Sequence, residues 1–350
     1  MNRKKILFMS IFFLAFIGFL LLKSYNSESK YNKSYFYLGT VNEITLFNIK
    51  KSQSEQILNK CDEILRDIEN KMSDTIVSSD VSKINSNAGS FVKVSSDTFF
   101  VIEEAIKYSN LSNGNFDITI GPISDLWAIG TDNARIPSTE EIQKYLNLVN
   151  YKNVTLNKND SSIKLEKDNM KIDLGAIAKG YAADVIANYL KSNNVNSAII
   201  NLGGNVYTIG NKSNNQPFTV GIQDPTMPRG NSIGNIKVSN KSVVTSGIYE
   251  RYIESENKIY HHILNPSNGY PFDNELSSVT IISNKSISCD ALSTSAFGLG
   301  LESGLNLIES IDSVDAIFIT KNKEIYLTSN LSDKFTLTDN SFKISTLPKK

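Results

Sequence analysis

Lys171-Ile-Asp-Leu-Gly-Ala-Ile-Ala-Lys-Gly-Tyr181 is the stretch of this 350-residue chain on which the reading of the fold turns. Its first residues predict a short strand over 171–174. Ile177, Tyr181, Val185, Ile186, Tyr189 and Leu190 then recur at helical spacing, because an α-helix brings positions three and four apart onto one face. That helix leads into Ala198-Ile-Ile-Asn-Leu202, a buried strand closed by Gly203-Gly204. A helix that begins among glycines presents unpaired N–H groups and the positive end of its dipole, and both favour phosphate. Gly175 and Gly180 would let backbone or ligand approach closely. Their spacing imitates a P-loop, but the lysine precedes the second glycine and Tyr181 follows it, so a Walker site is rejected. The plain structural alternative is a capped helix on a sheet, with Asp173 and Lys179 merely solvated.

Upstream, β-prone residues run from Phe36 to Phe47. A long amphipathic helix follows, marked by Ile57, Leu58, Cys61, Ile64, Leu65, Ile68 and Met72. A second helix is expected over 98–111, stopped by Asn113-Gly114. A third starts at Ser138, whose spacing to Glu141 fits a capping box. Short strands are expected over 154–156 and 163–165. Downstream, strands fit 219–222, 236–238, 258–264 and 278–282, a helix fits 290–299 and a hairpin fits 315–327. No internal repeat and no low-complexity linker divides this part. The expected architecture is therefore α+β, one intimately mixed unit spanning 35–350.

The chain's beginning reads differently. Asn2, Arg3, Lys4 and Lys5 precede an almost unbroken apolar run over 6–22, the pattern of an export signal or membrane anchor at 1–23. With no small-x-small cleavage site and no lipid-accepting cysteine after it, an uncleaved anchor is favoured, and the basic start directs the rest outside the cell membrane. Residues 24–34 are polar and read as a stalk. Lys plus Arg and Asp plus Glu both number 36, so no long-range field of the kind a nucleic-acid binder carries is expected. Cys61 and Cys289 stand in no metal-ligand spacing and only two histidines exist, which disfavours zinc. The two cysteines could pair with each other outside the cell, but apolar neighbours such as Ile64 and Leu65 favour a buried thiol for Cys61.

Three further segments could carry chemistry. Ser288-Cys-Asp-Ala-Leu-Ser-Thr294 places Asp290 and Thr294 four apart on one helical face, a carboxylate and a hydroxyl suited to Mg²⁺. The bland alternative is an Asp290 N-cap and a surface Thr294. In Tyr260-His261-His262-Ile263-Leu-Asn-Pro the two imidazoles point to opposite faces of a strand, so one at most can act as a base and a structural hydrogen bond is the commoner use. Asn115-Phe-Asp-Ile-Thr-Ile-Gly-Pro122 runs on to Leu126-Trp127-Ala128, where the sole tryptophan could offer a flat face to an aromatic ligand or simply fill a core.

Taken in order, Phe-Asp-Ile-Thr-Ile-Gly-Pro, Asp-Leu-Gly-Ala-Ile-Ala-Lys-Gly, Val-Thr-Ser-Gly, His-Ile-Leu-Asn-Pro and Asp-Ala-Leu-Ser-Thr resemble the FAD:protein FMN transferases, the ApbE-like family, from about Leu38 to the C-terminal hairpin. The resemblance implies a T-fold-related α+β fold and Mg²⁺-dependent transfer of FMN from FAD to a Ser or Thr hydroxyl of an exported flavoprotein, with AMP released. It implies metal ligation by the main chain at Ala176 and by Asp290 and Thr294. It implies FAD contacts at Leu126, Trp127, Ala128, Asp173, Lys179 and Ile263, with His262 as base. The chain departs from the family at Leu38, where Met is common, and at Thr75, where an aromatic commonly sits against FAD. A weaker hold there would favour turnover or hydrolysis over storage. Two rivals follow: a metal-dependent FAD pyrophosphatase using the same site, and a surface flavin-binding module without turnover.

Overall fold

A computed structural model describes residues 29–256 and 258–347. Eight helices follow one another among them: α1 (Lys51–Met72), α2 (Asp80–Ser86), α3 (Ser96–Leu111), α4 (Gly121–Trp127), α5 (Thr139–Leu146), α6 (Ala178–Ser192), α7 (Ser286–Leu299) and α8 (Leu301–Glu309). The main sheet has nine strands: β1 (Lys30–Tyr37), β2 (Thr40–Phe47), β3 (Ser197–Leu202), β4 (Asn205–Gly210), β5 (Ser242–Gly247), β6 (Leu276–Ser283), β7 (Asp315–Thr320), β8 (Glu324–Leu327) and β9 (Lys343–Ile344). Their order across the sheet is their order in the chain. Every neighbouring pair is antiparallel except β8 with β9. Antiparallel neighbours can be joined by short turns, and the longer crossovers carry the helices and the two small three-stranded sheets.

Alternation along the strands sorts the core into layers. Ile44, Leu46, Ala198, Ile200 and Tyr207 meet α1 and α6 through Leu58, Cys61, Leu65, Ala183 and Ile186. Val244, Val279, Ile281 and Phe318 meet α7 and α8. Their neighbours Val243, Ile282, Ile317 and Ile319 face the other way, onto Ile222, Ile236 and Phe335 of the three-stranded sheet formed by residues Phe218–Gln223, Ser232–Val238 and Phe335–Leu337. Central strands are covered on both faces, and among the described residues Ser278 Oγ of β6 and Asp315 Oδ1 of β7 are buried without a hydrogen-bond partner. Every residue of β6 and β7 is buried. A satellite cluster of Ile123, Trp127, Ile142 and Leu264 lies to one side.

The structure agrees with the α+β reading and moves several boundaries. Strand pairing begins at Lys30, so residues of the expected stalk up to Ser34 belong to β1. The expected strand over 171–174 is absent, because its backbone partners are not a strand: Ile172 N–H donates to Asn85 Oδ1 at 2.8 Å, Asn85 Nδ2 donates to the Ile172 carbonyl at 3.0 Å, and Asp173 N–H donates to the Ile118 carbonyl at 2.7 Å. Thr245-Ser246-Gly247 of the Val-Thr-Ser-Gly motif forms the end of β5. The capping box at Ser138 is present with both reciprocal bonds. The apolar run over 6–22 lies outside the described residues, and among the described residues no helix is long and apolar enough to cross a membrane.

Candidate active site

The 171–177 segment and α7 approach each other through a glycine. Gly180 sits in the first turns of α6, and a Cβ built there would stand 2.4 Å from the Ser286 carbonyl oxygen and 2.8 Å from Asp290 Cβ. Only hydrogen fits at that crossing. The helices can then be joined directly: Gly180 N–H donates to Asp290 Oδ2 at 2.9 Å. Asp290 is therefore not the N-cap of its helix. That task falls to Asp184 of α6, whose two carboxylate oxygens accept from Ser286 N–H at 2.8 Å and Ile287 N–H at 2.9 Å.

Freed from capping, the buried Asp290 offers its other oxygen to the site. Lys179 Nζ lies 3.7 Å from Asp290 Oδ1 and donates to the Gly175 carbonyl at 2.8 Å. One ammonium thus ties the backbone beside Ala176 to the carboxylate of a helix more than a hundred residues later. Asp173 shapes the same loop, accepting from Gly175 N–H at 2.7 Å. One turn beyond Asp290, Thr294 Oγ1 is 3.2 Å from Ser246 Oγ, which is 2.7 Å from Ser293 Oγ. Neither Ser246 nor Ser293 is a site candidate by local pattern. The β-branched run Val243-Val244-Thr245 was the signal that a strand would carry Ser246 to the helix. Among the described residues no three His, Cys, Asp or Glu side chains gather as a metal cluster. The oxygens near α7 are instead one carboxylate, several hydroxyls and nearby main-chain carbonyls.

The strand expected over 258–264 ends at His261, and the two histidines find different surroundings. His261 is buried, with Nε2 2.9 Å from the Phe272 carbonyl and Nδ1 accepting from Ile263 N–H at 3.3 Å. Burial pushes its pKa down to about 4. His262 is half-buried, and its Nδ1 lies 3.2 Å from the Arg251 carbonyl. A carbonyl only accepts, so Nδ1 carries the proton and Nε2 keeps a free lone pair. Burial first, then the Arg251 charge, with a smaller push from Lys179, lowers this pKa to about 4 as well. At neutral pH His262 is an uncharged acceptor.

The Phe-Asp-Ile-Thr segment supports the site from behind. Asp117 is buried and ties down Thr119 N–H at 2.7 Å, Thr119 Oγ1 at 2.6 Å and Tyr151 N–H at 2.9 Å. Gly121 lets α4 pass the Lys171 carbonyl, which a Cβ would meet at 2.8 Å. Leu126 lines a cavity of about 590 Å³ together with Asn85, Pro122, Asp125, Asp168 and Lys171. Trp127 turns the other way: its ring is fully buried against Tyr260 and Tyr270, and Nε1 donates to the Gly269 carbonyl at 2.8 Å. The open flat surface considered for it is not there, since an indole with a partner for its N–H gains more from burial. Ala128 ends α4 with φ of 48°, and Ile263 is buried under the histidine strand. Asp74 sits close enough to Asp173 that partial desolvation and that second charge raise its pKa, while Thr75 is exposed and pairs with Ser73 Oγ at 2.9 Å.

Cys61 and Cys289 are both buried and free, Cys61 on the core face of α1 and Cys289 within α7. Burial pushes the Cys61 thiol up to about 12 and the Cys289 thiol higher still.

A model of the ApbE family matches residues 38–318. The FAD:protein FMN transferase of Klebsiella pneumoniae is 38% identical over 294 residues, covering 84% of this chain and 91% of that protein. Its counterpart in Treponema pallidum is 30% identical over 328 residues, covering 89% and 91%. The crystal structure of the ApbE protein from Thermotoga maritima superposes with a TM-score of 0.80 at 33% identity, covering 87% of this chain and 98% of that one. The flavin transferase ApbE from Vibrio cholerae shares the fold with a TM-score of 0.75 at 24% identity. With its motifs, its nine-stranded sheet and these likenesses in agreement, the chain belongs to the ApbE family.

Proposed function

We propose that this protein is an enzyme that transfers FMN from FAD to a Ser or Thr hydroxyl of an exported flavoprotein, with Mg²⁺ bound and AMP released. The observation that carries the reading is the double engagement of Lys179, on the Gly175 carbonyl at 2.8 Å and near Asp290 Oδ1 at 3.7 Å. It ties the backbone next to Ala176 to Asp290, and with Thr294 one helical turn further on these supply the proposed ligand set. Their chemistry suits the proposed cation: hard oxygens from a carboxylate, a hydroxyl and a carbonyl, few enough that phosphate oxygens and water complete the shell. When bound, the cation supplies neutralisation of the diphosphate's negative charge.

The rest is work for the chain's own groups. Lys179 adds a second positive charge beside Asp290, which favours an anionic substrate. Nε2 of His262, unprotonated because Nδ1 is committed to the Arg251 carbonyl, takes the proton from the incoming hydroxyl. That oxygen forms a bond to the FMN-side phosphorus as the bond from this phosphorus to the bridging oxygen breaks, and AMP leaves with the bridging oxygen. The anionic substrate would itself raise the basicity of His262, offsetting the cations that lower it in the free protein. Leu126, Trp127, Ala128, Asp173 and Ile263 are the proposed flavin-nucleotide contacts, Trp127 through its backbone, since its ring is buried. The apolar run over 6–22 supports an extracytoplasmic protein held at the membrane, with an exported acceptor or a subunit of a membrane redox complex as partner.

The second reading is hydrolysis, water replacing the hydroxyl. It draws on Thr75, which is small and exposed where an aromatic would shield the flavin. Incubating the full chain with FAD, Mg²⁺ and a candidate exported acceptor separates the two. Covalent FMN on the acceptor by mass spectrometry, with stoichiometric AMP, supports transfer. Free FMN alone supports hydrolysis, and absence of AMP in every mixture would refute both.

A further inference from the structure

Arg251 does not belong to any motif, yet its placement is unusual. Its carbonyl oxygen receives both the backbone N–H of His262 at 3.1 Å and the imidazole Nδ1 at 3.2 Å. Its side chain lies across Gly130, where a Cβ would stand 2.8 Å from Arg251 Cδ and 3.5 Å from Cγ. Gly130 has a φ of +90°, so both backbone conformation and space exclude a side chain there. The guanidinium then reaches the β1–β2 turn, with Nη2 4.0 Å from the Cβ position of Gly39. Two glycine turns therefore form the track along which this side chain lies.

At the end of that track the guanidinium has no partner among the described residues. The adjacent carboxylate, Glu250, is engaged by Arg229 instead. Arg135 likewise has its carboxylate, Glu141. A planar fork of five N–H donors, with its stem aligned and no internal acceptor, matches phosphate geometry better than any other side chain. We infer that Arg251 is a diphosphate-binding residue, whose guanidinium holds a phosphate oxygen of the dinucleotide while its carbonyl fixes the tautomer of the base. This rests on the reading of FAD as substrate. It adds a second fixed cation beside His262, complementary to Lys179, and the depressed pKa of the imidazole agrees with both charges lying near it.

The test uses the full chain and ADP as probe, with Mg²⁺ present, measured by calorimetry. Arg251→Gln is expected to weaken ADP binding about tenfold or more, and Arg251→Lys by less, since it keeps the charge without the fork. The melting temperature of the unliganded variants should stay as in the wild type. An affinity for ADP within about twofold of wild type in Arg251→Gln would overturn the inference, as would a loss matched by a lower melting temperature before ligand is added. Binding of ADP does not require transfer. Wild type that binds ADP but releases no AMP from FAD would sink the transferase reading, while a loss of about tenfold in ADP affinity in Arg251→Gln would still support Arg251 as the diphosphate-binding residue. Wild type that binds neither FAD nor ADP would overturn both.

Discussion

Gly180→Ala should break the crossing of α6 and α7 on which the whole site depends. The atoms a methyl group would meet are the Ser286 carbonyl oxygen at 2.4 Å, Ile287 Cα at 2.7 Å and Asp290 Cβ at 2.8 Å. Two are main chain and the third is the root of a side chain, so none can rotate away. Alanine gains roughly 1 kcal/mol of helix propensity over glycine. Against this, overpacking costs typically about 1–3 kcal/mol. Separating the helices also stretches the 2.9 Å bond from Gly180 N–H to Asp290. A hydrogen bond to a charged group contributes about 1.5–3 kcal/mol. The clash wins, and a net destabilisation of about 2–4 kcal/mol is expected. Urea unfolding should show a lower midpoint at unchanged slope. AMP release from FAD should fall at least tenfold, because Asp290 moves relative to the 173–177 loop. A variant as stable as wild type and fully active would show that the helices are not in the contact described.

Removing the imidazole in His262→Gln should lower turnover by roughly 10²–10⁴-fold while leaving ADP affinity near wild type, measured by steady-state kinetics and calorimetry. Acidification should destabilise the protein through His261, whose pKa burial pushes down to about 4 from the ordinary imidazole value of 6.5. The unfolded chain gains protons first, so stability is present above pH 6.5 and is lost as pH falls toward 4, by about 3 kcal/mol for this group. Comparing wild type with His261→Gln isolates it from buried acids such as Asp117 and Asp184, whose raised pKa values act in the opposite direction. Identical pH dependence of unfolding in the two proteins would refute the assignment. Finally, neither Cys61 nor Cys289 should react with a thiol reagent in the native protein, and both should react in denaturant without prior reduction; rapid native labelling of either would contradict its burial.

Local pattern carried much of the fold. The seven apolar positions read from Ile57 to Met72 include six that α1 buries, and Ser138 with Glu141 closes the capping box its spacing announced. Where a side chain from a distant segment took over backbone pairing, pattern misled: nothing in 171–174 says that Asn85 will occupy its N–H and carbonyl groups. The same holds for Asp290, where a local reading favoured an N-cap. The cap belongs to Asp184, which reaches the helix from α6.

What the sequence determined by itself was composition, periodicity and the ordered set of motifs that marks the family, since each depends only on residues near one another in the chain. Tertiary structure alone decided which groups meet. Lys179 bridging Gly175 to Asp290, Ser246 brought beside Thr294, and Arg251 laid over Gly130 with its carbonyl on His262 are contacts between segments far apart in sequence. They exist because strands about 4.7–4.9 Å apart and helices separated by only a glycine set segments remote in the chain within hydrogen-bonding reach of one another.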